Sequence, residues 1–173
     1  DSTWRRELFS AYKQNRKPMP DDLRTGLPRV VHSIAEVGIR SVQVNGFEAD
    51  DVIATMASSL GARGIAVVVL STDKSMLGLL DAGVEVRDHF SGRNFAPQDV
   101  VTRFGVQPAQ LPEYLALAGD NSQNVPGVRG IGAKTAAGLL QTYGDLRGVF
   151  AAVDALPTRH ANALRKQVED TDL

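Results

Sequence analysis

The sequence predicts an α/β front half built on a parallel sheet and a mainly helical back half, and three observations carry that expectation. Ile65 to Leu70 is a continuous apolar, β-branched run between Gly64 and Ser71, the pattern of a buried parallel strand. Glu48 to Leu60 precedes it with apolar residues at helical spacing: Val52, Ile53, Met56 and Leu60. After Phe90 the character changes, and Pro97, Pro108 and Pro112 each stand near an expected helix start.

In chain order, the first helix is expected over Leu27 to Val37, with Pro28 in its first turn and Gly38 as its stop. It feeds a loosely alternating strand at Arg40 to Val44. The helix from Glu48 has carboxylates in its first turn, where the macrodipole favours them, and Gly61 past its end. Strand, helix, strand then implies a right-handed parallel crossover, with Val84 to Val86 as a weaker third strand. In the back half, Val100 to Phe104, Leu111 to Leu117, Ala133 to Tyr143 and Ala161 to Val168 have helical spacing. No internal repeat or low-complexity linker interrupts the chain.

A chain of 173 residues, 43 % hydrophobic and 23 % charged, can bury one substantial core and is too mixed in composition for a disordered segment. The formal charge of -1 gives no global sign of a polyanionic partner. Its distribution is more telling: Arg5, Arg6, Lys13, Arg16 and Lys17 crowd the start, while Glu48, Asp50 and Asp51 cluster later, so separate basic and acidic surfaces are expected. With no cysteine, disulfides and cysteine-based metal or nucleophile chemistry are excluded, which favours a cytoplasmic setting. No stretch approaches the roughly 20 apolar residues of a membrane span, and the opening Asp-Ser-Thr-Trp-Arg-Arg is unlike a signal peptide. Lacking an initiator Met, the sequence reads as a fragment.

Gly46-Phe47-Glu48-Ala49-Asp50-Asp51 puts three carboxylates within one helical turn. Their mutual repulsion would be relieved by magnesium or manganese, which prefer oxygen ligands; alternatively the turn simply caps its helix. Ser71-Thr72-Asp73-Lys74 follows the strongest strand directly, and ligands of open parallel sheets bind beyond the carboxyl ends of strands. Asp73 is thus placed to share an ion with the Glu48 turn, to cap the helix from Lys74 to Leu80, or both.

Asn124 to Ala136 contains Gly127, Gly130 and Gly132, followed by Lys134 in the first turn of a small-residue helix ending near Gly144. Glycines let backbone amides approach a ligand closely, and a helix N-terminus with a nearby lysine favours phosphate. The segment resembles the helix-hairpin-helix motifs that grip the DNA backbone without reading bases; a tight interhelical turn with no ligand is the other reading. It is neither a nucleotide P-loop nor a dinucleotide fingerprint, because the glycines follow a helical region and no Gly-Lys-Ser or Gly-Lys-Thr occurs at the required spacing.

Together, in this order, the motifs resemble the 5′ nuclease family of flap endonucleases and 5′–3′ exonucleases, which includes the nuclease domain of bacterial DNA polymerase I and the exonuclease IX type. Trp4-Arg5 followed by Tyr12-Lys13 and Arg16 resembles the family's aromatic-Arg, Tyr-Lys-x-x-Arg segment. Glu48-Ala49-Asp50-Asp51 and Ser71-Thr72-Asp73-Lys74 resemble its acidic motifs, and Gly119-Asp120 through Thr135 its helix–three-turn–helix. The resemblance spans almost the whole chain. It implies a parallel-sheet, PIN-like nuclease core over residues 1–95, with its first strand missing, and a helical DNA-binding region over 96–173.

By the same resemblance, Glu48, Asp50, Asp51, Asp73 and Asp120 would hold Mg²⁺ or Mn²⁺, Lys13 and Arg16 would contact the scissile phosphate, and Tyr12 would stack on a terminal base or pack beneath the basic segment. Main-chain carbonyls of Leu117, Ala118, Pro126, Val128 and Ile131 would hold K⁺. Arg5, Tyr12, Lys13, Arg16, Gly127, Gly130, Ile131, Gly132, Ala133, Lys134 and Thr135 would face DNA. The implied partner is DNA with a 5′ flap or 5′ end, bound by a monomer that makes no use of a membrane. The implied activity is metal-dependent 5′–3′ exonuclease or flap endonuclease cleavage; a DNA-binding protein with a degenerate site is the alternative, and RNA in hybrid duplexes is a further substrate. Two departures bear on this: the family often has Asp where Ser75 and Gln123 stand, so the second metal position is depleted and weak activity is implied. The strand with the family's first aspartates is missing as well, and Asp1, three residues before Trp4, is not placed to replace them.

Overall fold

The computed structural model describes residues 3–169, so Asp1 lies outside the described residues. Its elements run α1 (Thr3–Leu8), α2 (Asp21–Glu36), α3 (Ala49–Gly61), β1 (Val68–Leu70), a 3₁₀ segment (Lys74–Ala82), β2 (Glu85–Arg87), α4 (Pro97–Phe104), α5 (Leu111–Ala118), α6 (Ala133–Tyr143), α7 (Leu146–Ala151) and α8 (Thr158–Glu169). An α/β front half therefore leads into a helical back half, as the sequence predicts.

The sheet is smaller than predicted. β1 and β2 pair in parallel with Val69 opposite Val86, and the connection between them is the 3₁₀ segment, capped by Asp73. Val69 and Val86 face the core, whereas Val68 and Leu70 are 46 % and 61 % exposed, so the apolar run is buried on one face only. Residues 40–44 form no strand, because among the described residues no neighbouring strand meets their backbone. The first helix also differs. α2 begins at Asp21 behind Pro20, with Asp21 and Asp22 as its acidic first turn, which leaves Pro28 inside the helix rather than at its start. The helix bears no buried residue.

The helix starts of the back half follow the prolines. Pro97 opens α4, Pro108 opens a 3₁₀ turn over Pro108–Gln110, and Pro112 lies in the first turn of α5, positions where a missing N–H costs nothing. One apolar cluster runs through both halves, joining Ala57, Val69, Met76 and Val86 to Val100, Leu111, Leu117, Leu140, Val149 and Leu164. At about 1.5–3 kcal/mol per fully buried aliphatic side chain, this shared core fixes α3 and the end of β1 against α5, and so holds the acidic motifs in register with the glycine turn.

Candidate functional site

Four segments distant in sequence converge on a cleft of about 460 Å³. The N-terminus of α3 contributes Glu48, Asp50 and Asp51, and the 3₁₀ segment after β1 contributes Ser75. The loop after α5 contributes Asp120 and Gln123, while Arg5 and Tyr12 come from the chain start. Asp73 joins through Ser75: its Oδ1 accepts from the Ser75 backbone N–H and from its hydroxyl, both at 2.9 Å.

The basic start of the chain is only partly a surface of its own: Arg5 and Lys13 lie on the acidic turn, whereas Arg6, Arg16 and Lys17 are exposed, so the charged faces are less separate than the sequence suggests. Arg5 makes a bidentate pair with Asp51, at 2.7 and 2.5 Å. Lys13 Nζ donates to Glu48 Oε1 at 2.7 Å and the Tyr12 hydroxyl donates to Oε2 at 2.9 Å. Asp51 also accepts from the Glu48 backbone N–H at 2.9 Å, so its carboxylate caps α3 as well as pairing with Arg5. The Arg5 hydrogen bonds hold the Asp51 carboxyl below the usual range. Burial pushes Glu48 up, but the bonds from Lys13 and Tyr12 and the nearby positive charges outweigh it and leave its carboxyl lowered. Burial raises the Tyr12 phenol. Across the cleft, the Asp120 side chain is only 8 % exposed and accepts from Lys74 Nζ at 2.6 Å, Ser122 Oγ at 2.6 Å and Ser122 N at 3.0 Å. Burial would raise this carboxyl, and those donors together bring it below its ordinary value.

Asp50 is different. It is half-buried with no hydrogen-bond or ion-pair partner among the described residues, and its carboxyl is raised, first by burial and then by the negative charge of Asp73. A hard divalent cation fits the chemistry of this pair of oxygen donors. Elsewhere in the cleft Arg5, Lys13 and Lys74 already balance the carboxylates, and among the described residues no three acidic or histidine side chains are gathered into a ready-made cluster.

The glycine turn is built by backbone packing against backbone. A Cβ on Gly119 would lie 2.8 Å from the Pro126 carbonyl oxygen, and one on Gly127 would lie 2.7 Å from both the Leu117 oxygen and the Ala118 carbonyl carbon. Both glycines have left-handed φ, 88° and 67°, so only glycine permits this approach. Val128 N donates to Leu117 O, and Ile131 N to Val128 O, each at 2.9 Å, which leaves a second lone pair on each acceptor. The side chains of Leu117, Val128 and Ile131 are buried, Ala118 is half-buried and Pro126 is exposed. Beyond them, Gly130 turns the chain at φ 92° and Gly132 caps α6. Ala133 and Lys134 are exposed and Thr135 is half-buried at the start of that helix.

Residues 1–105 match the N-terminal resolvase-like domain of the 5′–3′ exonuclease family, and residues 106–173 match its C-terminal SAM fold. The chain belongs to the 5′–3′ exonuclease family. It is 39 % identical over 164 residues to the flap endonuclease Xni of Shewanella amazonensis and 41 % identical over 169 residues to that of Vibrio atlanticus. These matches cover 95 and 98 % of the chain but 64 and 65 % of the relatives, so the chain spans a little under two thirds of their length. Its fold is that of bacteriophage T5 D15, in a crystal grown with metal ions (TM-score 0.79, 22 % identity, 99 % of this chain and 68 % of that one) and in a pseudo-enzyme-product complex with DNA and metal ions (0.80, 23 %, 99 % and 67 %).

In this family member, sequence reasoning passed over Lys74 as a partner of Asp120 and passed over the residues that join the chain start to the turn after Asp120. Lys13 N donates to Gln123 O at 2.9 Å and Arg16 to Gln123 Oε1 at 3.2 Å. Asn15 Nδ2 donates to Asn121 O at 2.9 Å, and Asn124 Nδ2 to Ala11 O at 2.6 Å. The signal available was modest: Asn tolerates left-handed backbone, and Asn124 precedes a Val-Pro-Gly turn. Nothing local in the sequence marks a contact more than 100 residues away.

Proposed function

We propose that the intact protein is a metal-dependent 5′ nuclease that hydrolyses DNA phosphodiester bonds at 5′ ends or flaps. One observation carries the reading: a cleft of carboxylates, in which Asp50 makes no ion pair among the described residues, is joined directly, through the Lys13 segment, to a glycine turn suited to phosphate. Residues 1–95 would then carry the chemistry and 96–173 the grip. Asp50 and Asp73, with Glu48, Asp51 and Asp120 around them, would hold Mg²⁺ or Mn²⁺, which supplies hydroxide at neutral pH and neutralises charge on the phosphate.

The chain's own side chains do the rest. Lys13 and Arg16 neutralise and orient the scissile phosphate, with Lys13 leaving Glu48 to do so, and Arg5 keeps Asp51 fixed as the cap of α3. Tyr12 offers its ring to an unpaired base, a contact worth about 1–3 kcal/mol in single-strand binders. Gly127, Gly130, Ile131, Gly132, Ala133, Lys134 and Thr135 present backbone amides and one ammonium to the duplex backbone. Main-chain carbonyls of Leu117, Ala118, Pro126, Val128 and Ile131 would hold K⁺ beside it. The protein acts as a cytoplasmic monomer.

The test is incubation of the intact protein with a labelled 5′-flap duplex and Mg²⁺, beside the same flap in RNA. Cleavage of the DNA flap that disappears in EDTA and in Asp50→Ala is expected; no cleavage at any enzyme excess would falsify the enzymatic reading. A second reading, flap recognition without cutting, draws on Ser75, Gln123 and the Lys74–Asp120 pair, which leave few free carboxylates. It predicts flap affinity that falls steeply with salt and no metal-dependent product.

A further inference from the structure

Among the described residues only two other than glycine have positive φ, Lys13 at 56° and Asn124 at 57°. Left-handed backbone is costly for a lysine and tolerated by an asparagine. The two residues face each other across one junction. Lys13 gives its N–H to the carbonyl of Gln123, the residue before Asn124, and Asn124 gives its side-chain amide to the carbonyl of Ala11, two residues before Lys13. The Asn15 amide on Asn121 O and Arg16 on the Gln123 side chain close the same junction from its solvent side. Asn124 N also donates to Asn121 O at 3.2 Å, completing the turn that leads through Pro126 and Gly127 to the phosphate-facing glycines.

Local turns bracket Lys13, with Gln14 N on Ala11 O and Arg16 N on Lys13 O, each at 3.1 Å, and its own N–H is held by another part of the chain. We propose that Asn124 is a positioning residue that couples the glycine turn to the placement of Lys13: its left-handed backbone presents the Gln123 carbonyl, its amide pins Ala11, and Lys13 is aimed into the cleft only while the turn is formed. Duplex engaged at the turn would in this way set the ammonium that meets the scissile phosphate. The inference rests on the nuclease reading for the role of Lys13, but the coupling itself is a property of the fold and can be measured separately.

Asn124→Gly keeps the left-handed backbone and deletes the amide, while Asn124→Asp keeps the shape and replaces the donor with a carboxylate facing the Ala11 carbonyl. For the intact protein we expect both to lower kcat on a 5′-flap duplex about ten- to a hundredfold, the scale of a misplaced catalytic group, with KM within about twofold. Amide hydrogen exchange at Lys13 should quicken in both. In a Lys13→Ala background Asn124→Gly should add less than about twofold, because residues acting as one unit are non-additive. Asn15→Ala, which removes an exposed donor to the Asn121 carbonyl without replacing any residue of the turn, should give the same pattern at about threefold, so the coupling stays testable if the Asn124 variants fold poorly. Wild-type exchange at Lys13 in Asn124→Gly, or fully additive losses with Lys13→Ala, would overturn the coupling. A wild-type protein that cuts no flap would remove the nuclease reading instead, and the exchange data would still decide the coupling.

Discussion

Asp50 and Asp51 are neighbours in sequence with opposite fates in the cleft. Asp51 takes both arms of Arg5 and the Glu48 amide, and its carboxyl is lowered; Asp50, one residue earlier, makes no ion pair among the described residues and is raised by burial and by the negative charge of Asp73. The contrast extends along the walls. Glu48 and Asp120 belong with Asp51, each carrying a lysine, while Asp50 and Asp73 stand without a cation on either carboxylate among the described residues. A cluster of carboxylates is thus two things: a set of paired groups that stabilises the junction of α1, α3 and α5, and two carboxylates without an ion pair among the described residues, of which Asp50 is raised. The second set is where a ligand cation has most to gain.

Asp50→Asn is the sharpest break of that contrast. Cleavage of a 5′ flap should fall on the order of a thousandfold, about 4 kcal/mol, and calorimetric Mn²⁺ affinity should fall with it. Yet the fold should melt at the same temperature or slightly higher, because the variant removes a half-buried charge repelled by Asp73. A destabilised Asp50→Asn protein would show that Asp50 is a paired structural group after all.

Asp51→Asn should do the reverse. It breaks a charge-assisted bidentate pair in which both side chains are largely shielded, 25 % and 22 % exposed, so a loss of about 1–2 kcal/mol in urea unfolding is expected after allowing for solvent screening. The Asn oxygen can still accept from the Glu48 amide, which spares the cap. Cleavage per folded molecule should change far less than in Asp50→Asn. Equal losses of activity would merge the two classes of carboxylate.

How much of this was legible in advance follows the range of the forces involved. Helix starts at Pro97, Pro108 and Pro112, the cap at Glu48 and the turn at Gly127 are decided within a few residues, and the sequence carries them. The strand at Arg40 to Val44 failed because a strand is made by its neighbour, and among the described residues none adjoins it. Pro28 misled for a related reason: a proline marks a helix start only weakly when an acidic turn seven residues earlier already supplies one. The acidic motifs could be read as residues in a cleft but not as two classes, since the partners that separate them, Arg5, Lys13 and Lys74, lie more than 30 residues from the carboxylates they hold.

Acid titration should expose the two classes by sign. Glu48, Asp51 and Asp120 have lowered folded pKa values, so their stabilisation is present above the unfolded values, near 4, and is lost as pH falls through the folded ones. Asp50 is raised, so its protonation relieves strain and stabilises the fold as pH falls through its folded value. Followed by thermal melts from pH 7 to 3, the wild type should lose stability on the acid side. Asp51→Asn should flatten that loss by about 1 kcal/mol and Asp50→Asn should steepen it by less. Slopes that change in the same direction would contradict the pairing pattern.

The smallest effect comes from adding charge where it is thin. Ser75 gives both its N–H and its hydroxyl to Asp73, so it steadies that carboxylate without supplying a negative charge of its own. Ser75→Asp keeps the backbone donor and replaces the hydroxyl with a third carboxylate beside Asp50 and Asp73. Without divalent ions this should cost under about 1 kcal/mol, since the group is only half-buried. With Mn²⁺ the sign should invert, because ion affinity rises with the number of charged ligands, and binding about three- to tenfold tighter in calorimetry is the expected gain. If Ser75→Asp weakens the metal-free fold as predicted and Mn²⁺ affinity does not move, the carboxylates at this end repel one another without sharing an ion, and the division between paired and ligand-ready groups would need another basis.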